Sequence, residues 1–524
     1  MDSDSTDSRS SSPNHEYISE EQSDYVNSSD EQEDERKSPV FDPVYSSDEQ
    51  ESPRKRMKHS NVDRITNLPD TMITHILSLM PVDEAVRTQL LSKRWRYAWA
   101  SSSALTFSRT RFPDKTYTKI NEFITNALML HKGQLKSLSL LRVQGRKIGV
   151  EPPTNLWLQC AVNKQIEVLV LEIDRYVKSY SLPHCFLFCD SLKEFSLSAW
   201  TFDLGSSLLW KSLKKLNLTY VENLYNNKIH KIIEGSPELE SFNLSYCAGF
   251  SQIIVSSGSK LRNLVIKYGG SQNQDDDKSD ELLVISGPSI RTLKISGFMC
   301  WQDFRLRDVS SLVQVKFKFY IPSMDKDNQK SSYAVTEMIH ELVRKISHVE
   351  KLSLGTWCTQ VLSMCELGGE PIIPLKCKTL EIVSLHERSI PGIARLLRSS
   401  HYLERLTIDA EPYKPYQFDH EVENPREFLD DFKAKNYWKS PERAAFKNPW
   451  QHLKVVQFIG LYETIVELAE YVLDHAKVLE KLVLNPGESV YERSPDLRHS
   501  SLFQVMQKLL SYPRCSRHAR VLLL

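Results

Sequence analysis

The side chains able to do covalent or metal chemistry are scattered through this 524-residue chain. Nine cysteines run from Cys160 to Cys515 without a framework, which fits a reduced compartment rather than a disulfide scaffold. Cys185 and Cys189 bracket Phe-Leu-Phe, but no second Cys/His pair follows at zinc spacing, so buried thiols are expected there. His184 adjoins Cys185; on an extended strand neighbours point to opposite faces, so the pair could not act as nucleophile and base. Fifteen histidines show no ligand spacing. G-x-S-x-G, H-E-x-x-H, G-x-x-x-x-G-K and G-x-G-x-x-G are all missing. The residues predict no catalytic centre, no metal and no cofactor. What remains is non-covalent binding.

The densest binding chemistry lies in residues 63–99. Pro69 sits where a helix can begin. Ile73, Ile76, Leu77 and Met80 then recur at i, i+3, i+4 and i+7, one apolar helix face. Pro81 stops that helix. A second short helix follows, with Val82, Ala85, Val86 and Leu90 on one side. Ser92 is the expected N-cap of a third, which carries Trp95 and Trp99 one turn apart. Below roughly 40 residues a domain seldom closes its own core, so this apolar stripe is expected to meet another protein.

The stretch closely resembles an F-box of the plant type. Its D-R-I-x-x-L-P-D, H-I-L-S, E-A-V-R-T and L-S-K-R-W-R segments all stand here in order. The resemblance implies docking on the Skp-type adaptor of a cullin–RING ubiquitin ligase. It implies adaptor contacts through Leu68, Pro69, Ile73, Ile76, Leu77, Pro81, Val82, Val86, Leu90 and Trp95.

The elements around this unit read as follows. Residues 1–60 are rich in Ser, Asp and Glu and poor in apolar residues, so they are expected to be disordered. SSDEQE occurs twice there, at 28–33 and 46–51. Such serines suit acidophilic kinases, or the tail is only a solvated one. The cluster PRKRMKH at 53–59 reads as an import signal or as a basic linker. Formal charge is zero, with 67 basic and 67 acidic residues, so neither nucleic acid nor a membrane surface is an expected partner. No apolar run reaches the ~20 residues that span a bilayer. Nucleus or cytoplasm is the expected location.

From about residue 104 the pattern becomes L-x-x-L-x-L. It recurs at Leu135, Leu192, Leu213, Leu239, Leu261, Ile290 and Leu312, with a related strand around Leu169. Spacings mostly in the twenties mark leucine-rich repeats, one parallel strand per repeat. Later repeats carry helices, around Met338 and Leu396, before the strands 349–354 and 403–408. The position that often holds Asn or Cys in such repeats conforms only at Cys247, so an irregular arc is expected. Between the leucines, Ser196, Ser198, Asn217, Asn243, Lys267, Lys294, Lys316 and Lys318 face the concave side and form the expected target-binding surface. This face turns basic toward the later repeats. Residues 269–281 and 411–448 read as loops. Residues 449–524 return to strand–helix order and resemble the FBD domain of plant F-box proteins. They are expected to close the solenoid's edge.

The expected fold class is α/β. A disordered tail (1–60) leads to a three-helix F-box (61–103). An irregular leucine-rich-repeat solenoid (104–448) follows, a curved parallel sheet with convex helices, then a closing unit (449–524). The expected function is substrate recognition in an SCF-type ligase, with an unknown target protein. The alternatives are a non-degradative F-box scaffold and a small-molecule-sensing receptor.

Overall fold

The structure is a computed structural model that describes residues 65, 68–112, 116–142, 153–173, 180–199, 202–205, 207–268, 282–298, 303–320, 329–383, 386–410, 437–439, 450–460, 463–486, 504–505 and 507–524. The acidic tail with its SSDEQE repeats, the basic cluster, the 269–281 loop and most of 411–448 lie outside these residues. Residues 63–524 form one compact unit.

Two short helices open it, α1 (Asp70–Ser78) and α2 (Val82–Arg87). Pro69 and Pro81 stand just before them in extended conformation, φ −57° and −58°. Each proline carbonyl accepts an early helical amide, from Ile73 at 3.1 Å and Ala85 at 2.9 Å. The expected third helix is replaced by turns over residues 93–97 and a 3₁₀ turn at Ala98–Ser101. Ser92 caps nothing; its hydroxyl is buried without a partner. Tyr97 leaves the helical region, at φ −126°. Trp95 and Trp99 are both buried, so core burial overrides the weak local helix signal.

The remaining helices are α3 (Tyr117–Leu130), α4 (Thr154–Asn163), α5 (His184–Leu187), α6 (Asn226–Glu234), α7 (Gln329–Lys345), α8 (Thr356–Leu367), α9 (Ile390–Ser399) and α10 (Glu463–His475). The strands in chain order are β1 (Ala104–Ser108), β2 (Ser137–Leu141), β3 (Val168–Glu172), β4 (Tyr180–Ser181), β5 (Glu194–Ser198), β6 (Phe202–Asp203) and β7 (Lys215–Thr219). Next come β8 (Ser241–Ser245), β9 (Gln252–Ile254), β10 (Asn263–Tyr268), β11 (Leu282–Ser286), β12 (Thr292–Phe298), β13 (Asp303–Arg307) and β14 (Gln314–Tyr320). The last are β15 (Lys351–Gly355), β16 (Thr379–Val383), β17 (Arg405–Asp409), β18 (Val455–Ile459), β19 (Lys481–Asn485) and β20 (Arg520–Leu523).

Among the described residues, fifteen strands make one parallel sheet, in the order β1-β2-β3-β5-β7-β8-β10-β12-β14-β15-β16-β17-β18-β19-β20. The leucine pattern sets its register. Leu216 pairs with Phe242, Phe242 with Leu264, Leu264 with Leu293, and Leu293 with Val315. A second ladder, Leu218–Leu244–Ile266–Ile295–Phe317, runs two residues further on. All ten side chains are buried. A one-residue slip would turn every one of them to solvent, so the pattern fixes the pairing.

Two strands carry a weaker sequence signal. β1 and β16 put Ser102 and Cys377 where other repeats have the first leucine. Both are buried and bonded: Ser102 Oγ donates to the Ala104 carbonyl at 2.9 Å, and Cys377 Sγ to Ser400 Oγ at 3.3 Å. Several repeats turn sharply where the Asn/Cys ladder would begin. Arg142, Tyr220 and Tyr246 turn the chain after β2, β7 and β8 in the left-handed region, at φ 53°, 58° and 56°. Cys247, the one residue that fits the ladder, reaches the Leu218 carbonyl at 3.4 Å.

The other face of the sheet is covered by helices and, in the middle repeats, by a small parallel sheet, β13-β11-β9. Its edges are shielded, β9 by α6 and β13 by α7. A two-stranded sheet, β4-β6, lies earlier. Residues 450–485 continue the main sheet in register, and β20 is its terminal strand. Among the described residues no element pairs with the outer edge of β20, and Leu522 and Leu523 are exposed. The described residues of this unit extend the sheet.

Candidate functional site

Two surfaces have the chemistry to bind partners. The first is built on α1, which is apolar on both sides. Ile73 and Leu77 point inward and are 1% exposed. Met72 and Leu79 point outward, 48% and 74% exposed, with Ile76 half-buried between them. Residues 72, 76 and 79 fall at i, i+4 and i+7, a second stripe. An outward apolar stripe beside the buried one is surface that a partner can cover. Leu90, Leu91 and Tyr97 add exposed apolar surface beyond α2.

The ten residues expected to contact an adaptor therefore divide. Ile73, Leu77, Val82 and Trp95 are buried in the chain's own core. Leu68, Ile76, Pro81 and Val86 are half-buried, and Pro69 and Leu90 are exposed. Met72, Leu79, Leu91 and Tyr97 were not expected. Their signal was present in the sequence, because 72, 76 and 79 have the same helical spacing as 73, 77 and 80.

This unit is fused to the sheet. α1 packs on the Ala98–Ser101 turn, and α2 packs on β1. Arg111 holds Asp83 through Nε at 3.0 Å and also pairs with Glu84. The Asp83 carboxylate is nearly buried, so this bridge fixes α2 better than an exposed pair could. Lys132 donates its amide to the Ala100 carbonyl at 2.8 Å. His131 Nε2 lies 2.7 Å from the Ser102 carbonyl, which can only accept, so that nitrogen carries a proton.

Burial, with a smaller contribution from Lys164, holds the His131 imidazolium below its ordinary value of 6.5. The unfolded chain then binds a proton that the folded chain refuses, so the His131 contribution to stability is fully present above about pH 6.5 and is lost as pH falls from there through the lower folded value. His131→Gln keeps a donor for Ser102 without a titrating group. Its denaturation midpoint is expected to fall less than the wild type's between pH 7 and pH 5; equal slopes would clear His131 of the effect.

The second surface is the open face of the sheet, where the residues between the buried ladders are half-buried. Ser196, Asn217 and Asn243 share one row. Asn217 Nδ2 donates to Ser196 Oγ at 2.8 Å, and Asn243 donates to Asn217. Ser198 lies in the neighbouring row, followed by Thr219, Ser245 and Lys267. Lys294 and Lys316 continue the first row, and Lys318 continues the second. The eight expected residues thus do fall on one face, in two rows. The basic end is partly met by acid. Lys316 Nζ lies 3.4 Å from a Glu381 oxygen, and Asp409 stands two strands beyond Gly355 in the row of Lys318.

Five thiols are held protonated by burial. Burial pushes the Cys247 thiol up to about 12 and raises Cys185, Cys358, Cys365 and Cys377 as well. His184 and Cys185 lie on the short helix α5 rather than on a strand, and His184 stacks on Phe188 with ring centroids 4.8 Å apart. Among the described residues no group of three His, Cys, Asp or Glu is placed to hold a metal ion. No described helix is long and apolar enough to cross a membrane.

Comparison with known families meets both surfaces. The F-box domain model matches residues 65–105, and a model described as the At1g61320/AtMIF1 LRR domain matches residues 128–515. The second match runs unbroken through β18 and β19, so the C-terminal strands fall within the leucine-rich-repeat domain. F-box/LRR-repeat protein At5g02910 of Arabidopsis thaliana is 32% identical over 356 residues, 66% of this chain and 72% of that one. F-box/LRR-repeat protein At3g03360 of Arabidopsis thaliana is 29% identical over 359 residues, 66% of this chain and 70% of that one. F-box/LRR-repeat protein At3g26922 of Arabidopsis thaliana is 29% identical over 305 residues, covering 56% and 90%. The F-box model thus covers α1 and α2, the leucine-rich-repeat model covers most of the stacked strands, and the chain belongs to the F-box/LRR-repeat protein family.

Proposed function

We propose that the chain is the target-recognition subunit of an SCF-type ubiquitin ligase, in the nucleus or cytoplasm, with no chemistry of its own. The outward stripe of α1 carries this reading. Met72, Ile76 and Leu79, with Leu90, Leu91 and Tyr97, form an apolar surface of the kind that an obligate partner buries. The Skp-type adaptor implied by the F-box is that partner. The inward residues Ile73, Leu77, Val82 and Trp95 act indirectly, by holding the outer stripe in place. The open face of the sheet holds the target.

The mechanism is proximity. Arg111, Asp83 and the backbone bonds around Ala100 keep the two surfaces in one fixed arrangement. A bound target lysine then stays near a ubiquitin-charged enzyme at high effective concentration. Co-purification tests the reading. The full chain mixed with a Skp-type adaptor is expected to elute as a one-to-one complex, and separate elution at micromolar concentrations would refute it.

A further inference from the structure

On the open face, β14, β15 and β16 align Lys316, Ser353 and Glu381 in register. Lys316 and Glu381 are two strands apart, about 10 Å at the backbone, yet their charged ends lie 3.4 Å from each other. The pair therefore arches over Ser353. Ser353 is 5% exposed and is the one buried side chain in that row among the described residues. Its Oγ has no hydrogen-bond partner. Beside it, Gly355 aligns with Val383 and packs closely on Lys318, where an added Cβ would sit 3.1 Å from the Lys318 Cα.

Lys318 is half-buried, and no described carboxylate lies within ion-pair reach of it. Burial and the neighbouring Lys316 hold its ammonium below the usual lysine range, while Glu381 and Asp409 act only from a distance. Lys294 on β12 and Lys267 on β10 also have no described carboxylate within ion-pair distance. Lys267, Lys294 and Lys318 thus step across three adjacent strands, a span of about 10 Å. One small anion cannot reach all three. An extended chain with a carboxylate on every second residue, about 7 Å apart, can.

We propose that this corner of the open face binds an acidic segment of the target protein, and that the Lys316–Glu381 pair is a strap that the incoming carboxylate opens. The incoming group competes with Glu381 for Lys316, accepts from Ser353 Oγ and Lys318, and gives the buried hydroxyl its partner. The inference rests on the open face being the target-binding surface.

The test uses the full chain and a short labelled peptide of alternating Glu and Gly, with alternating Lys and Gly as control. Only the acidic peptide is expected to bind. Lys318→Gln and Lys294→Gln should each weaken it about tenfold, the worth of one charge-assisted contact. Glu381→Gln should tighten it, while Glu240→Gln, which removes the same charge away from the stripe, should leave it unchanged. Ser353→Ala should weaken binding without lowering the melting midpoint, because it deletes a hydroxyl that bonds to nothing in the free chain. Unchanged binding by Lys318→Gln, or equal tightening by Glu381→Gln and Glu240→Gln, would overturn the site. Displacement of the peptide by inorganic phosphate at equal concentration would reduce it to a single-ion site and overturn the peptide assignment. A chain that captures its target yet ignores the acidic peptide would sink this inference alone. A chain that captures no target would remove the reading beneath it.

Discussion

A variant carrying Leu79→Asp and Leu90→Asp is expected to fold as the wild type does and to lose the adaptor. Both side chains are largely exposed, at 74% and 85%, so the folded chain gives up almost no packing. A charge at each would have to be desolvated against an apolar partner. Loss of an anchor at the centre of an interface costs about 2 kcal/mol or more, so the pair should weaken binding by about a thousandfold. Leu77→Ala and Trp95→Ala give the opposite pattern. Those side chains are buried, and truncation should cost about 2–5 kcal/mol of stability. Adaptor binding and thermal denaturation of the same four proteins separate the two faces of α1. Adaptor binding untouched in the double Asp variant would place the interface elsewhere.

Gly392→Ala is expected to be strongly destabilising for so small a change. Gly392 begins α9 where that helix presses on α8. A Cβ there would sit 2.1 Å from the Thr359 carbonyl oxygen and 2.9 Å from the Ser363 amide nitrogen, both backbone atoms. The close approach is held by bonds: Gly392 donates its amide to Ser363 Oγ at 2.8 Å, and Ser363 Oγ donates to the Thr359 carbonyl at 3.0 Å. Separating the helices would also disturb the buried carboxylate of Glu366, which Arg395 and Arg398 neutralise. Overpacking of this kind costs about 1–3 kcal/mol, and strain on a buried ion pair adds to it. A loss of roughly 3 kcal/mol or more is expected in denaturant unfolding, against none for Gly258→Ala, whose Cβ would meet nothing within 4 Å. Because α8 follows directly on β15, the shift should also displace Ser353 and weaken acidic-peptide binding. A stable Gly392→Ala protein would mean that the two helices can part without cost.

By itself the sequence determined the repeats. A strand's faces alternate every two residues, so Leu216 and Leu218 announce both their burial and the exposure of Asn217 without reference to anything distant. The two prolines before α1 and α2, and the apolar residues of α1, were legible for the same reason: caps and helical spacing act within one turn. The tertiary structure decided the rest. It chose which of two equally spaced stripes on α1 became core, because only packing against Trp99 and Ala100 distinguishes Ile73 from Met72. It cancelled the helix expected after Ser92, since burying Trp95 and Trp99 outweighs local propensity. It hid two strands behind Ser102 and Cys377, whose small bonded side chains replace a leucine. It also brought Lys316 over Ser353 to Glu381, across 65 positions of chain. No local pattern encodes that meeting, because it is set by the number of strands stacked between the two residues.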